Sequence, residues 1–318
     1  MTQASSTHTN ARDYRNGLLF GVACYGFWGL LPLYFIAIDF ASALEIVANR
    51  ALWTLLLCVL ILLVTGGLRQ LPRALRDRQQ MKFLAPAAGL IAINWLAYVY
   101  AANHGQILQA SLGYFINPLF TVLLGVVILR ERLRKTQWLA MAIGLLAVII
   151  IAVGYGHPPW LALTLAGSFG LYGLAKSYAG RTTGAVASLG VETLLLTPLA
   201  LILMLWLDHQ GQGHFLRDGA GRSLLLMTTG IVTTVPLTMF AAAARRLPLS
   251  LVGMLQYLAP SLQFIIAVYV EHEAMPPSRW VGFALIWVAL AIISTDAVRQ
   301  TRRKRRQRRD QAAIEPTP

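Results

Sequence analysis

Leu112-Gly113-Tyr114-Phe115-Ile116-Asn117-Pro118 lies inside an apolar run that opens at Ile107, with Glu131 thirteen residues after the proline and Trp138 seven beyond that. Pro260, Glu273 and Trp280 repeat the same spacing 142 residues later. A proline inside an apolar helix frees a carbonyl that a neighbouring helix or water must satisfy, so Pro118 and Pro260 are read as helix breaks beside a shared polar cavity. Kinking prolines are common in membrane helices, and the two alone would decide nothing. Three residue types agreeing in one register favour an internal duplication. Paired interrupted segments in two halves of a membrane chain point to a transporter's binding site.

The chain is 57% hydrophobic and 13% charged, with a mean hydropathy of +0.59, too apolar and too sparsely charged to coat a soluble domain. Apolar runs of about 20 residues, each enough to cross a hydrocarbon layer of roughly 30 Å, recur along it. Ten spans are expected: 17–37, 43–64, 83–102, 107–129, 137–154, 159–175, 185–207, 223–243, 249–270 and 279–297. Gly66-Gly67, Pro72, His157-Pro158-Pro159, Gly211-Gln-Gly213 and Pro276-Pro277 punctuate the connections. The first run exceeds a signal-peptide core, and Ala41-Ser42-Ala43 only superficially resembles a cleavage site, so it reads as an uncleaved span. Residues 1–16 are polar and expected to be disordered at their start.

Lys and Arg near span ends are retained on the cytoplasmic side. With the N-terminus inside, only Arg217, Arg222 and Arg279 of the 27 Lys and Arg fall on the opposite side, and Arg50 lies within a span. Both termini are therefore cytoplasmic and the span number is even. Arg299 to Arg309 carries eight basic residues in eleven. Directly after a last span, that cluster reads as a topology anchor able to touch anionic lipid, not as a nucleic-acid site.

The resulting fold class is an all-α polytopic membrane protein with ten transmembrane helices arranged as two inverted five-helix repeats. Its parts are a cytoplasmic segment 1–16, repeats 17–155 and 156–298, and a basic tail 299–318. Five spans per half force the second copy into the opposite orientation. Tyr25-Gly-Phe-Trp-Gly29 is echoed by Phe169-Gly-Leu-Tyr-Gly173, and Ala101-Ala102 by Ala243-Ala244. Glycine in such company also marks close helix packing, as in Gly17-xxx-Gly21.

Charges inside a bilayer need a reason, at no less than about 2.5–3.5 kcal/mol each. Arg50 and Glu192 occupy matching spans of the two halves, each roughly 10 Å from the nearer surface at about 1.5 Å per residue. They either pair with each other or with carbonyls to lock the bundle, or serve a solute or a coupling proton. A guanidinium holds a carboxylate or phosphate through paired hydrogen bonds and cannot relay a proton; Glu192 can. Glu45 is expected near the outer interface, solvated. Asn94, Tyr114, Asn117, Gln256, Tyr257 and Gln263 complete the cavity candidates as uncharged hydrogen-bonding groups, with interhelical bonding as the alternative. Trp28, Trp95 and Tyr98 can stack on an organic solute or simply pack. Glu131, among Arg130, Arg132 and Arg134, and Glu273 are expected near opposite faces.

Nothing here supports catalysis, a cofactor or a metal: phosphate-binding glycine loops, zinc motifs and nucleophile elbows are absent, and the six histidines lack ligand spacing. Cys24 and Cys58 lie in apolar runs and read as packing residues.

Ala110-Ser-Leu-Gly-Tyr-Phe-Ile-Asn-Pro118, Gln137-Trp-Leu-Ala140, Gly230-Ile-Val-Thr-Thr-Val-Pro-Leu237 and Ile286-Trp-Val-Ala-Leu-Ala-Ile292 resemble the RarD branch of the EamA-like drug/metabolite transporter superfamily. Tyr25-x-x-Trp28-Gly29 with Pro32 and Tyr34-Phe35, and Ser250-x-x-Gly253-x-x-Gln256-Tyr257-x-x-Pro260, extend the resemblance over nearly the whole chain. It implies a bacterial inner-membrane protein of two inverted five-helix repeats with a central cavity, alternating access, and a name associated with chloramphenicol sensitivity. Gln109 stands where relatives often carry Glu, and Ile36 where Lys often follows the Tyr-Phe pair, so coupling through those charges is not available here.

The leading expectation is a secondary transporter of a small organic solute, a metabolite or an amphipathic drug. Its partners would be that solute, a coupling proton, and membrane lipids. The alternatives are a membrane-embedded lipid or isoprenoid enzyme, which should cluster acidic or histidine residues at one face, and a non-transporting regulator working through its basic tail.

Overall fold

The computed structural model describes residues 3–128, 130, 135–178, 184–244, 246–247 and 255–314, and every regular element among them is helical. In chain order these are α1 (Gln3–Ala37), α2 (Ala43–Val64), α3 (Gln70–Arg76), α4 (Arg78–Asn103), α5 (Ile107–Val127), α6 (Lys135–Tyr155), α7 (Trp160–Tyr178), α8 (Ala185–His209), α9 (Ala220–Met227), α10 (Thr229–Ala244), α11 (Leu258–Tyr269) and α12 (Pro277–Ile314). Among the described residues, eight segments are long and apolar enough to cross a membrane, the run Ala220–Phe240 of α9 and α10 counting as one. The two other expected spans coincide with α7, whose hydropathy Gly167, Ser168, Gly170 and Lys176 dilute, and with the shorter apolar helix Leu258–Val270. This is a multi-pass, all-α membrane protein.

The outer surface is apolar where that of a soluble domain is polar, and polar groups join the apolar core. Leu56, Leu60, Leu63, Ile202 and Leu205 are exposed, while Asn49, Arg50, Thr54, Glu192, Thr193 and Gln263 are buried. Apolar side chains facing outward and polar groups gathered inside are what a hydrocarbon solvent selects.

Two compact units are present. The first comprises residues 1–117 and 160–274, the second 118–159 and 275–318. Within the first, α2 packs on α8, α4 on α7, and α1 on both α10 and α11; within the second, α6 packs on α12. The 142–144 register pairs α1 with α7, α2 with α8, α4 with α10, α5 with α11 and α6 with α12. Under that exchange the α4–α7 contact becomes α10–α1, and the α2–α8 and α6–α12 contacts map onto themselves. The α1–α11 contact becomes α7–α5, where a Cβ on Gly113 would come within 2.8 Å of the Ala162 carbonyl oxygen.

Local signals set the helix starts. Ser42 caps α2 by accepting from Glu45 N at 3.2 Å. Asp77 caps α4, accepting from Gln80 N at 3.2 Å, Gln80 Nε2 at 2.9 Å and Gln79 N at 2.9 Å, and these bonds, that of the Gln80 backbone foremost, hold its carboxyl below the usual carboxylate range.

Three expectations are corrected. α5 runs through Pro118 without a break, the kind of proline that membrane helices tolerate once neighbours satisfy the freed carbonyl. Pro260 lies in the first turn of α11, where a missing N–H removes no helical bond, and the interruption falls just before it at Gln256-Tyr257. The span expected at 223–243 is present as the run Ala220–Phe240, with Thr228 between α9 and α10 still donating to Leu224 O and accepting from Val232 N at 3.0 Å. Helix also continues into both termini, to Gln3 and Ile314, because extending a helix anchored by a span avoids the nucleation penalty.

The approach of α10 to α2 depends on Gly230, where a Cβ would lie 2.5 Å from the carbonyl carbon and oxygen of Trp53. Gly230→Ala is expected to lower stability by about 1–3 kcal/mol through overpacking, read as a lower thermal midpoint in detergent. An unchanged midpoint would mean that the two helices have slack there.

Candidate functional site

A cavity of about 450 Å³ opens inside the first unit, within the size range of small-molecule sites. The two aromatic-glycine motifs meet in it. Tyr25 and Trp28, three apart on α1, line one part of the wall, and Phe169 and Tyr172, at the same spacing on α7, line another. Three residues put two side chains on one helical face, so each motif presents two rings together. Phe240 extends the α1 side, its ring 6.2 Å from that of Trp28, and Tyr114 extends the α7 side, 6.0 Å edge-to-face from Phe169.

Arg50 lines the same cavity from α2, with 6% of its surface exposed. Its Nε donates to Thr233 Oγ1 at 2.8 Å, and Cζ stands 4.3 Å from the Trp95 ring centroid and 5.6 Å from that of Phe35. Those faces stabilise the guanidinium by cation–π attraction where water is scarce. No carboxylate oxygen lies within 4.0 Å of Arg50 among the described residues.

Glu192 is fully buried on α8 and meets Lys176 of α7, Nζ to Oε1 at 2.5 Å. Tyr172 donates its hydroxyl to Oε2 at 3.0 Å, Ser188 donates to Oε1 at 3.1 Å, and Lys176 also donates to Ser188 Oγ. The expected alternative in which Arg50 and Glu192 neutralise each other is therefore corrected: Lys176, one of the positive charges used to set topology, is the partner. It sits in the last turn of α7 and reaches back along its helix, as a long amphipathic side chain can. Lys176 and Tyr172 line the cavity; Glu192 stands directly behind them.

Of the uncharged candidates, Asn94, Tyr114, Gln256 and Gln263 line the cavity, as does Pro260. Asn94 is fixed by donating to Leu165 O at 3.2 Å and Ser168 Oγ at 3.1 Å, and accepts from Tyr114 Oη at 3.3 Å. Gln263 Nε2 donates to Trp28 O at 3.1 Å. Asn117, one turn beyond Tyr114, is buried in packing away from the wall, and neither Tyr257 nor Pro118 belongs to it. Trp28, Trp95 and Tyr98 do line it.

Glu45 is buried, not solvated. Its carboxylate accepts from His214 N at 2.7 Å, Phe215 N at 3.0 Å and His214 Nδ1 at 2.8 Å, and so ties down the connection after α8. Glu273 accepts from Leu108 N at 3.1 and 3.2 Å at the start of α5, where a carboxylate suits the helix dipole. Glu131 lies outside the described residues. Cys24 and Cys58 are buried free thiols, and no group of three His, Cys, Asp or Glu could hold a metal among the described residues.

The model of the EamA-like transporter family matches the chain twice, over residues 15–153 and 159–295. Protein RarD of Streptomyces exfoliatus is 46% identical over 296 residues, covering 92% of each chain. Protein RarD of Escherichia coli K12 is 38% identical over 92% of this chain and 99% of its own, and a protein named Chloramphenicol-sensitive protein RarD, from Pseudomonas aeruginosa, is 30% identical over 91% and 97%. A solved crystal structure superposes with a TM-score of 0.57 at 19% identity, over 87% of this chain and 96% of that one, a likeness of fold alone.

Proposed function

This chain belongs to the EamA-like transporter family, and we propose that it is a secondary transporter of a small organic solute, working by alternating access from a bacterial inner membrane. The observation that carries this reading is the cavity of about 450 Å³, lined by groups from both halves of the chain. The halves, 17–155 and 156–298, are inverted repeats, with both termini cytoplasmic. Rocking one against the other would expose the cavity to each side in turn. Arg50 holds the solute. Glu192 exchanges a coupling proton, with Lys176 as its counter-charge and Tyr172 as its link to the cavity.

The test is flux. Purified protein in proteoliposomes should take up at least one radiolabelled probe from a set containing an aromatic acid, an aromatic amine and chloramphenicol, the last chosen from the name of the Pseudomonas aeruginosa relative. Uptake should saturate and respond to an imposed pH gradient. Rates equal to those of empty liposomes for all probes, with folded protein recovered, would contradict the reading.

A further inference from the structure

Three charged side chains stand in or behind the cavity wall, and two of them cancel. Lys176 and Glu192 neutralise each other across 2.5 Å. Arg50 does not share in that pair and has no acid within 4.0 Å among the described residues. One positive charge is left over in a compartment walled by aromatic rings, and burying an unmatched charge is expensive. With Nε committed to Thr233, the two terminal nitrogens of Arg50 have no protein acceptor among the described residues. Such a fork matches a carboxylate in shape as well as in charge.

A second observation is independent of charge. Tyr98 Oη and Gln263 Oε1 both belong to cavity-lining residues, exposed by 3% and 2%, and neither atom has a hydrogen-bond partner. Buried polar atoms in native proteins are nearly always paired, so each exception asks for an explanation. Tyr98 can donate. Gln263 has its Nε2 fixed on Trp28 O, which leaves Oε1 as an acceptor facing no donor.

We propose that the cavity is built for a single organic monoanion: a carboxylate on a bulky aromatic or apolar body, with its charge on the Arg50 fork and one N–H or O–H presented to Gln263. This rests on the transport reading only in taking the cavity to be a solute site. A cation would be repelled by Arg50, a neutral solute would leave the guanidinium unmatched, and a dianion would leave an excess negative charge. The rings of Trp28, Tyr114, Phe169 and Phe240 supply flat apolar surface for the body.

Binding to the full-length protein in detergent, measured by calorimetry, tests the proposal with indoleacetate, indoleacetamide, tryptamine, naphthylacetate and phenyl phosphate. Indoleacetate should bind, with the amide weaker by on the order of tenfold or more and tryptamine silent. Naphthylacetate, which lacks the ring N–H, should bind several-fold more weakly than indoleacetate, and phenyl phosphate more weakly than either acid. Arg50→Gln should lose acid binding while remaining folded, with only a modest drop in thermal midpoint, and Arg50→Lys should recover part of the binding. The proposal is overturned if the amide, the amine or the phosphate binds as tightly as the acid, if neither acid binds, or if folded Arg50→Gln binds the acid like wild type. Should Arg50→Gln fail to fold, the comparison of acid with amide on the wild-type protein decides alone. An acid that binds but never crosses the proteoliposome membrane leaves this inference standing and sinks the transport reading; saturable flux of the amine with no acid binding does the reverse.

Discussion

Lys176→Met is expected to destabilise the protein by about 3 kcal/mol, because removing one partner of a buried ion pair leaves the other without compensation. Glu192 is fully buried, and Ser188 and Tyr172 alone cannot offset its charge. Glu192→Gln should act in the same direction but less strongly, since the Lys176 side chain is 27% exposed and keeps some access to water. The double variant should recover most of the loss, because two neutral groups of similar volume leave no charge stranded. Unfolding midpoints of the four proteins in one detergent give the cycle. Additive losses would show that the pair is not coupled. The same variants separate the coupling role from the structural one: if Glu192 exchanges the proton, the double variant should be stable yet insensitive to an imposed pH gradient.

Arg50→Ala is expected to reduce saturable flux by at least about tenfold, the effect of losing one charge-assisted contact to the solute, with the protein still folded and inserted. The bond from Nε to Thr233 and the stacking on Trp95 are lost as well, so a modest drop in thermal midpoint should accompany it. Arg50→Lys keeps the charge without the fork and should fall between. Wild-type flux in a correctly folded Arg50→Ala would remove this residue from the transport mechanism.

Much of this architecture could be read from spacing and hydropathy, because a hydrocarbon solvent imposes a strong length and polarity rule on each span. The aromatic-glycine echo of residues 25–29 at 169–173 pointed to a repeat, and its rings line one cavity. Asn94, Tyr114, Gln256 and Gln263 were legible because an uncharged polar group inside a span has few places to go. What spacing cannot give is the partner across an interface. Arg50 and Glu192 occupy matching positions of the 142-residue register on α2 and α8, which pack together, yet Glu192 turns to Lys176 and Arg50 to Thr233. Lys176 directly follows the span expected at 159–175, so charge counting places it on the cytoplasmic side, whereas the structure keeps it in the last turn of α7. The signal that could have found it was there: Tyr172 with Lys176, and Ser188 with Glu192, are both four apart, so each pair shares a face of its helix. Glu45 was missed for a similar reason, since a first-turn carboxylate usually faces water or its own helix and here it receives two backbone N–H groups from a distant connection.

The claim beneath all of this is that the cavity is reached from each side of the membrane in turn. Its most direct test uses a protein with Cys24 and Cys58 replaced by alanine and a single cysteine at Gln256, labelled with a membrane-impermeant maleimide in right-side-out and in inverted vesicles. The account predicts labelling from both sides, slowed in each case by a transported solute. Labelling from one side only, under every solute and gradient condition, would contradict it.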